Sequence, residues 1–347
     1  MKRQMQSWAF ASLALLAASC AKDSNTEGPL LEDLYGEFSL VEDLSPSKGD
    51  VDFSTGEKIY FTAQFSKTTD WELHLLGLTS GAEKVISGKS RFLNQENAQW
   101  DGSTTIFPMF KVEQVAVSLW IPEDSLTLTD TVNVLGTKVN DGLVVADFEA
   151  SIPGQPPVLN PGFEVFRQSG ANMSFRIDDE DISAQGQYYY DMGGEVGWDW
   201  LIGYIYMPAS ALPDSVLNGG ITYPLSANPQ QVYLNLIVYS PVGIDNELLL
   251  IRINEDDNLN GSFNGANEDQ WSIEIRDVTA GWNQISLKYS DLVTLVNGAP
   301  GNPAGNGVYE PDKINKIEFL FLANPSSGYS QMYMDYVIFT EGGPLKP

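Results

Sequence analysis

Three segments of this sequence alternate apolar residues with side chains that can bond or stack on a ligand. In residues 231–239 every second residue is Val or Leu, and Tyr and Asn lie between them. A similar period of two recurs in residues 247–254 and 270–277, with Arg, Asn and Glu. Residues two apart on a β-strand share a face, so each strand has one polar or aromatic face. The candidate binding residues on these faces are Tyr233, Asn235, Tyr239, Arg252, Asn254 and Arg276.

Such faces have the chemistry of a carbohydrate site. Aromatic rings lie against the C–H face of a sugar, and amide, carboxylate and guanidinium groups bond its paired hydroxyls. The alternative is an ordinary solvated sheet face, on which these side chains only pair across strands. The alternation alone leaves both interpretations open.

A dense group of aromatic residues near position 200 is the second candidate. Trp198, Trp200, Tyr204 and Tyr206 are spaced by even numbers, so they share one face of an unbroken strand. If that face is buried, the rings are core; if it is exposed, they form a platform on which sugars stack. Trp is mostly buried in proteins, which favours the core for any one ring.

An acidic loop offers a weaker metal-binding pattern. Residues 256–261 match the first half of an EF-hand calcium loop, D-x-N-x-N-G. The twelfth position, which should be a bidentate Glu, is Asn267, and Glu268 follows one place later. We therefore interpret the segment first as a turn and second as a calcium site.

Catalytic motifs are not found in the sequence. His74 is the only histidine and Cys20 the only cysteine, which argues against zinc and Cys–His sites. No G-x-S-x-G elbow, H-E-x-x-H motif or phosphate loop occurs. With 46 acidic residues, a carboxylate pair can always be named, so naming one is uninformative. We expect a protein that is not an enzyme.

The chain is strongly acidic. Its 19 basic and 46 acidic residues give a formal charge of −27. Such a field repels nucleic acid and anionic polymers, and it favours neutral ligands and divalent cations. Acidity also keeps secreted proteins soluble, and that is the simpler explanation.

The N-terminal segment is typical of an exported lipoprotein. Two basic residues precede an apolar run at 8–18, which is too short to span a bilayer as a helix. Cys20 then follows small residues, and this ending resembles a lipobox, except that Ala17 stands where Leu is usual. A buried N-terminal helix, or an ordinary signal cut near residue 18, is the alternative.

We therefore expect residues 1–20 to be a signal peptide with Cys20 lipidated, followed by a flexible tether at 21–35. The pair Lys22-Asp23 resembles the charged signal that sends some Gram-negative lipoproteins to the exterior of the outer membrane. These features predict an outer-membrane protein that is lipid-anchored and faces the cell exterior.

The rest of the chain is predicted to be all-β. Period-two segments are separated by Gly, Pro, Asn and Asp clusters, and helical periodicity is nearly absent. Short strands, with 58–65 and 71–76 among them, predict an N-terminal Ig-like β-sandwich at 36–138. Longer strands and Asn- and Gly-rich loops predict a larger jelly-roll β-sandwich at 141–341.

Three motifs in the second block give a family resemblance. In chain order they read LVVADFE at 143–149, GWNQISLKYSDL at 281–292 and MYMDYVIF at 332–339. They resemble the opening, middle and closing strands of jelly-roll, galactose-binding-like carbohydrate-binding modules. The usual proline of the middle motif is replaced by Lys288.

The resemblance implies a metal site and a function. A structural calcium would lie between the opening and closing strands, held by Glu149 and Asp335, with the N-P-G-F-E segment at 160–164 as a competing first ligand. With the lipid anchor and the Ig-like block, the chain resembles surface glycan-binding lipoproteins of Gram-negative polysaccharide-utilisation systems. We therefore expect the chain to capture a neutral polysaccharide or oligosaccharide and to hand it over to an outer-membrane importer. A structural or adhesin-type lipoprotein, or a jelly-roll lyase or hydrolase, is the alternative.

Overall fold

A computed structural model gives the fold of most of the chain. It describes the following residues: 36–150, 154–180, 183–197, 201–244, 248–276, 278–323 and 328–347. The predicted signal peptide, Cys20 and the tether lie outside these ranges, as do Trp198 and Trp200. None of the helices in the described ranges has the length and apolar character needed to cross a bilayer.

The described residues are almost entirely β, as the sequence predicted. The N-terminal strands are β1 Leu40–Pro46, β2 Asp50–Asp52, β3 Ile59–Gly77, β4 Glu83–Leu93, β5 Gln99–Trp100, β6 Gln114–Ile121 and β7 Leu126–Gly136. The next are β8 Leu143–Ala146, β9 Glu164–Arg167, β10 Ala171–Asp178, β11 Tyr189–Glu195, β12 Leu201–Pro208 and β13 Val232–Ser240. The last are β14 Leu248–Glu255, β15 Gln270–Arg276, β16 Gly281–Lys288, β17 Leu295–Val296, β18 Ala299–Pro300, β19 Ile314–Leu322 and β20 Tyr329–Glu341.

Short helical turns link some of these strands. The α-helix in the described ranges is α1, Asp214–Leu217. The 3-10 turns are Phe53–Thr55, Pro122–Asp124, Ala209–Ala211, Tyr289–Asp291 and Pro311–Lys313. Each is too short to alter the all-β character.

The N-terminal strands form one seven-stranded sheet with a hydrophobic core. Its path is β1-β3-β6-β7-β2, and β4 and β5 also pair with β3. The strands predicted at 58–65 and 71–76 form one continuous strand, β3, which stays paired with neighbours on both sides of the intervening polar residues. The core of this sheet includes Phe61, Trp71 and Trp100.

The C-terminal strands form two sheets that pack face to face. One is six-stranded, with the path β10-β11-β20-β13-β16 and β8 beside β20. The other is five-stranded, in the order β15-β14-β19-β12-β9. Their inner faces share a core that includes Leu236, Ile251, Phe319 and Met334. Burying these side chains between the sheets is the main source of stability in such a sandwich.

The N-terminal sheet and the C-terminal tail cover part of the outer face of the six-stranded sheet. Met109 packs there with Ile237, Ile338 and Leu345. A backbone hydrogen bond of 2.7 Å joins Met109 N to Ala184 O. The outer face of the five-stranded sheet lies on the opposite side of the sandwich.

Candidate functional site

The outer face of the five-stranded sheet carries aromatic and charged side chains. Pairing across three strands places Tyr206, Glu318 and Arg252 in one row. Neighbouring residues on these strands, such as Ile205 and Phe319, point into the core. Side chains alternate along a strand, so an apolar core face leaves this second set outside. We call the surface formed by the following residues the tyrosine face: Phe166, Tyr204, Tyr206, Arg252, Lys316 and Glu318.

The aromatic part of the tyrosine face is a stack of three rings. The Tyr204 and Tyr206 centroids are 3.9 Å apart and the rings 10° from parallel. The Phe166 ring stacks on Tyr204 at 5.3 Å. The Lys316 ammonium lies 5.1 Å from the Tyr206 centroid, which is cation–π geometry. The rings therefore hold one another in place, and neither tyrosine is buried.

The polar part is a connected network around Glu318, a carboxylate only 5% exposed. Its Oε1 accepts hydrogen bonds from Asn254 Nδ2 at 2.8 Å and from Lys316 Nζ at 3.0 Å. Arg252 Nη1 lies 3.9 Å from Oε2. One buried carboxylate thus holds two cationic side chains at the surface, where their remaining donors can bond a ligand.

The hydroxyl of Tyr206 is protonated at neutral pH, as in an ordinary tyrosine. Partial burial raises its pKa further, and the Glu318 carboxylate adds to the increase. A protonated phenol can both donate and accept a hydrogen bond. The tyrosine face therefore combines apolar ring surface with hydrogen-bonding groups.

Buried leucine side chains pack against the rings and support them. Leu250, Leu320 and Leu322 are each 4% exposed and pack with Tyr204 and Tyr206. Leu295, from the β17–β18 hairpin, also contacts this group. The hairpin extends the sheet edge, since Val293 and Ser272 exchange backbone hydrogen bonds of 2.6 and 3.1 Å.

A cavity of about 450 Å³ continues the tyrosine face at one end. It shares Lys316 with that face, and it adds Glu164, Pro208 and Phe263. Phe263 lies on the loop between β14 and β15, so this loop forms one wall of the cavity. Together the face and the cavity make an elongated surface.

The structure places the predicted glycan-binding residues on two different sheet faces. Tyr204, Arg252 and Arg276 lie on the outer face of the five-stranded sheet, and Arg276 is at its corner, paired with Glu274 at 2.7 Å. Tyr233 and Tyr239 lie on the outer face of the six-stranded sheet instead. The core separates the two faces, so one ligand cannot contact both sets. Trp198 and Trp200 are outside the described residues.

Two predicted contact residues are buried, which corrects the prediction that they face a ligand. Asn235 is 0% exposed; its Nδ2 donates to Thr340 Oγ1 at 2.9 Å and its Oδ1 accepts from Leu345 N at 2.9 Å. Asn254 is also 0% exposed, and it bonds Glu318 and Gln270. Both side chains point away from the core, as their parity indicated, but other residues cover them.

Tyr239 belongs to an aromatic cluster on the six-stranded sheet. Its ring stacks on Tyr333 at 5.1 Å and is tilted against Trp282 at 5.2 Å. Tyr333 in turn stacks on Tyr189, which is 1% exposed. The cluster is thus largely internal packing, and it offers less accessible surface than the tyrosine face.

Several residues of the tyrosine face were missed from the sequence. Phe166 lies on β9, a four-residue edge strand that is too short for a period-two pattern to be evident. Glu318 and Lys316 alternate with core residues in β19, a signal that was available but was not distinguished from an ordinary solvated face. Glu164, considered as a competing calcium ligand, pairs with Tyr206 on this sheet.

Glu149 and Asp335 have surroundings that fit a hard cation. Asp335 is 0% exposed; its Oδ2 accepts from Gln185 N at 2.9 Å, while Oδ1 has no hydrogen-bond partner among the described residues. The side-chain Oε1 of Gln185 is likewise buried without a donor in the described ranges. Glu149 Oε1 accepts from Gln187 N at 2.8 Å. Such oxygen atoms are the ligands that calcium prefers.

The pKa values of Asp335 and Glu149 are both raised, as expected for buried carboxylates that a cation could neutralise. Burial raises the pKa of Asp335, and Glu149 adds to the increase. Burial is also the main cause of the raised pKa of Glu149. Lys111 approaches from the N-terminal sheet and bonds Ser183 Oγ at 3.2 Å, so it supplies part of the positive charge.

A second group of acidic residues lies at the end of β14. Glu255, Asp257 and Asp269 place one carboxylate oxygen each within 4.8 Å of one another, which is a grouping that can hold a metal ion. The EF-hand-like pattern at 256–261 forms a turn, in which Asp256 accepts from Asn260 N at 3.0 Å.

Comparisons with known proteins find similarity to solved structures only. No protein-family model matches this sequence, and no curated protein matches it. Among solved structures, the family 11 carbohydrate-binding module from Clostridium thermocellum, in complex with a β-1,3-1,4-mixed-linked tetrasaccharide, is 18% identical. That match covers 60% of this chain and 98% of the module, with a TM-score of 0.37.

Two further structures are similar at lower identity. SGBP-B from a complex xyloglucan utilization locus in Bacteroides uniformis is 10% identical over 88% of this chain and 73% of its own, with a TM-score of 0.33. The K1 cleaved adhesin domain of Lys-gingipain from Porphyromonas gingivalis W83 is 12% identical over 57% and 97%, with a TM-score of 0.29.

Proposed function

We propose that this protein binds a neutral polysaccharide or oligosaccharide at the tyrosine face. The observation that carries the proposal is the joining of two kinds of group on one sheet face. The stacked rings of Tyr204 and Tyr206 lie directly beside the Arg252–Glu318–Lys316 network. The rings suit the C–H surfaces of a sugar, and the network suits its hydroxyls.

The charge of the chain supports a neutral ligand. The formal charge of −27 repels anionic polymers at long range, whereas at the site itself Glu318 and Glu164 balance the charges of Arg252 and Lys316. A neutral glucan, mannan or xylan avoids this repulsion.

The location of the tyrosine face suits a surface receptor. The N-terminal sheet contacts the six-stranded sheet, on the opposite side of the sandwich, and so leaves the tyrosine face clear. We propose that Cys20 carries the lipid anchor in the outer membrane and that the face points to the exterior. The captured glycan would then pass to an outer-membrane importer.

We further propose that the protein does not cleave its ligand and that calcium is the cation held by Glu149 and Asp335. The first proposal rests on the missing catalytic motifs, and the second on the buried oxygen atoms of Asp335 and Gln185. Incubation of the purified chain with each polysaccharide should release no reducing ends or unsaturated products.

Affinity gels and isothermal titration against a panel of neutral glucans, mannans and xylans test the binding proposal. We expect Tyr206→Ala and Arg252→Ala to weaken binding by about tenfold or more, since residues central to a binding surface cost about 1.4 kcal/mol or more on truncation. Tyr233→Ala, on the six-stranded sheet, is the matched control and should bind like the wild type. Retention of no panel member by the wild type, or equal losses in all three variants, would contradict the proposal.

Anchoring needs a separate measurement. In a Gram-negative host, the wild-type chain should incorporate labelled palmitate, and Cys20→Ser should not. Protease added to intact cells should digest the wild-type protein. If the protein survives this treatment, display at the exterior is excluded.

A further inference from the structure

The acidic group formed by Glu255, Asp257 and Asp269 joins three segments of the chain. Glu255 ends β14, Asp269 precedes β15, and the two are linked by a backbone hydrogen bond of 3.0 Å from Glu255 N to Asp269 O. Asp257 lies on the loop between these strands. Its carboxylate sits against the backbone of Gly305, where a Cβ atom would clash with Asp257 Oδ2. The three segments are therefore the end of β14 with the loop that follows it, the residue that precedes β15, and the loop around Gly305 that precedes β19.

The carboxylates of residues 255–269 fall into two sets. In the first set, the oxygens are occupied within the β14–β15 loop: Asp256 accepts from Gly261 N at 2.6 Å, and Glu268 accepts from Asn258 and from Asn264 N. The second set is Glu255, Asp257 and Asp269, whose ligand atoms converge within 4.8 Å. Only the second set faces a shared point.

Buried oxygens without donors on Glu255 and Asp257 distinguish this set from an ordinary acidic patch. Asp269 differs from them, because its two oxygens accept hydrogen bonds from Gly305 N and Gly307 N, each at 2.6 Å. Glu255 is 0% exposed; Tyr289 Oη and Glu310 N bond its Oε1 at 2.5 and 2.6 Å, whereas Oε2 has no hydrogen-bond donor among the described residues. Neither oxygen of Asp257 has one in the same ranges. A buried carboxylate oxygen without a partner is costly, and a cation removes that cost.

The local positive charge is too small to balance three carboxylates. The charge of Lys313 lowers the pKa of Asp257, but the Lys313 ammonium is already paired with Glu310 Oε1 at 2.8 Å. Burial and the Asp269 carboxylate raise the pKa of Asp257, as expected where negative charges crowd.

We propose that Glu255, Asp257 and Asp269 bind a calcium ion, at a second cation site separate from the pair Glu149 and Asp335. The ligands are all oxygen atoms, which suits a hard cation, and they come from a strand end and a loop, which suits the flexible coordination of calcium. Calcium–oxygen distances of about 2.3–2.6 Å allow ligands on opposite sides of the ion to be ~5 Å apart. The 4.8 Å limit of this group is compatible with that spacing.

The ion would stabilise one wall of the glycan site. The loop that carries Asp257 also carries Gly261, Ser262 and Phe263, which line the cavity at the end of the tyrosine face. Calcium would tie this loop to Glu255 on β14 and to Asp269 beside β15. This role rests on the proposed glycan binding, whereas the cation site itself does not.

Terbium luminescence of the mature chain tests the cation site directly. The side chains of Trp271 and Tyr289 lie next to the Glu255 carboxylate, so terbium bound there should be sensitised by excitation of these rings. In the Glu149→Gln background, which removes the other proposed cation site, we expect saturable emission that calcium displaces. This emission should be unchanged by Asp312→Asn and weakened about tenfold or more by Asp257→Asn. Asp312 is exposed in the same region, so its variant makes the same charge change away from the site.

Thermal unfolding provides a second readout that also shows whether the variant folds. In EDTA, Asp257→Asn should melt no lower than the wild type, because it relieves repulsion between carboxylates. In calcium, it should melt below the wild type, because it has lost a ligand. Terbium emission that disappears only in Glu149→Gln, or equal calcium affinity of wild type and Asp257→Asn, would overturn the second site. A wild-type chain that binds terbium normally but binds no polysaccharide of the panel would instead overturn the proposed function alone.

Discussion

The rings of Tyr204 and Tyr206 are stacked 3.9 Å apart on the outer face of the five-stranded sheet. They are two residues apart on β12, so each supports the other's orientation, and Phe166 and Lys316 flank the pair. A stack of this kind is pre-organised, which lowers the entropy lost when a ligand binds. Its orientation also brings the Tyr206 ring beside the Glu318 network.

The roles of the ring and of the hydroxyl at Tyr206 can be separated. Tyr206→Phe keeps the stack and removes one hydrogen bond, worth about 0.5–1.5 kcal/mol. We expect a modest loss of glycan affinity for this variant and a larger loss for Tyr206→Ala. Isothermal titration with the best ligand of the panel measures both. Equal affinities for the two variants would mean that the ring makes no contribution.

Glu318 should be important for stability as well as for binding. Glu318→Ala leaves Asn254 without its acceptor and two cations without their carboxylate, and we expect unfolding to become easier by about 3 kcal/mol. Glu318→Gln keeps an acceptor for Asn254 and should cost less. Urea unfolding of the two variants checks this order, and a smaller loss for Ala than for Gln would contradict it.

Asn235 should act as a structural residue. Its side chain links β13 to Thr340 and to the C-terminal tail at Leu345. We expect Asn235→Ala to lower the free energy of unfolding by about 2 kcal/mol, because buried partners lose their hydrogen bonds. Glycan affinity at a temperature where the variant is folded should be unchanged. Reduced affinity at unchanged stability would return Asn235 to the binding site.

Asp191 should make stability depend on pH. Burial raises its pKa and Asp178 adds to the increase, while Ser174, Gln331 and Arg176 oppose it. The folded state therefore holds this proton more tightly than the unfolded chain, so stability falls as pH rises from the ordinary carboxyl range through the raised pKa. Asp191→Asn should reduce that slope in unfolding measured across acidic pH. A slope equal to that of the wild type would exclude the residue.

Removal of metal should destabilise the folded chain. If calcium binds at Glu149 and Asp335, a calcium concentration about 100-fold above Kd stabilises the protein by ~2.7 kcal/mol. We expect EDTA to lower the melting temperature, and Asp335→Asn to show a smaller decrease than the wild type. Asp312→Asn is the charge-matched control. An unchanged melting temperature of the wild type in EDTA would remove both calcium proposals.

The alternation of residues determined much about the individual strands. The period of two at 231–239 and in β14 identified strands and their core-facing residues correctly, because an apolar face must be buried for a sheet to be stable. It likewise predicted the all-β class. Turn chemistry at Asp256 was also readable, since Asp bonds backbone N–H groups a few residues ahead.

The tertiary structure decided which polar faces lie together and what covers them. Period two assigns a side of a strand but does not assign the strand to a sheet, so Tyr233 and Arg252 were grouped although the core separates them. Asn235 points outward and is nevertheless covered by the tail at Leu345. Phe166 reaches Tyr204, and Asp257 reaches Asp269, only because distant segments pack together. Contacts of this kind depend on long-range packing, which local spacing does not encode.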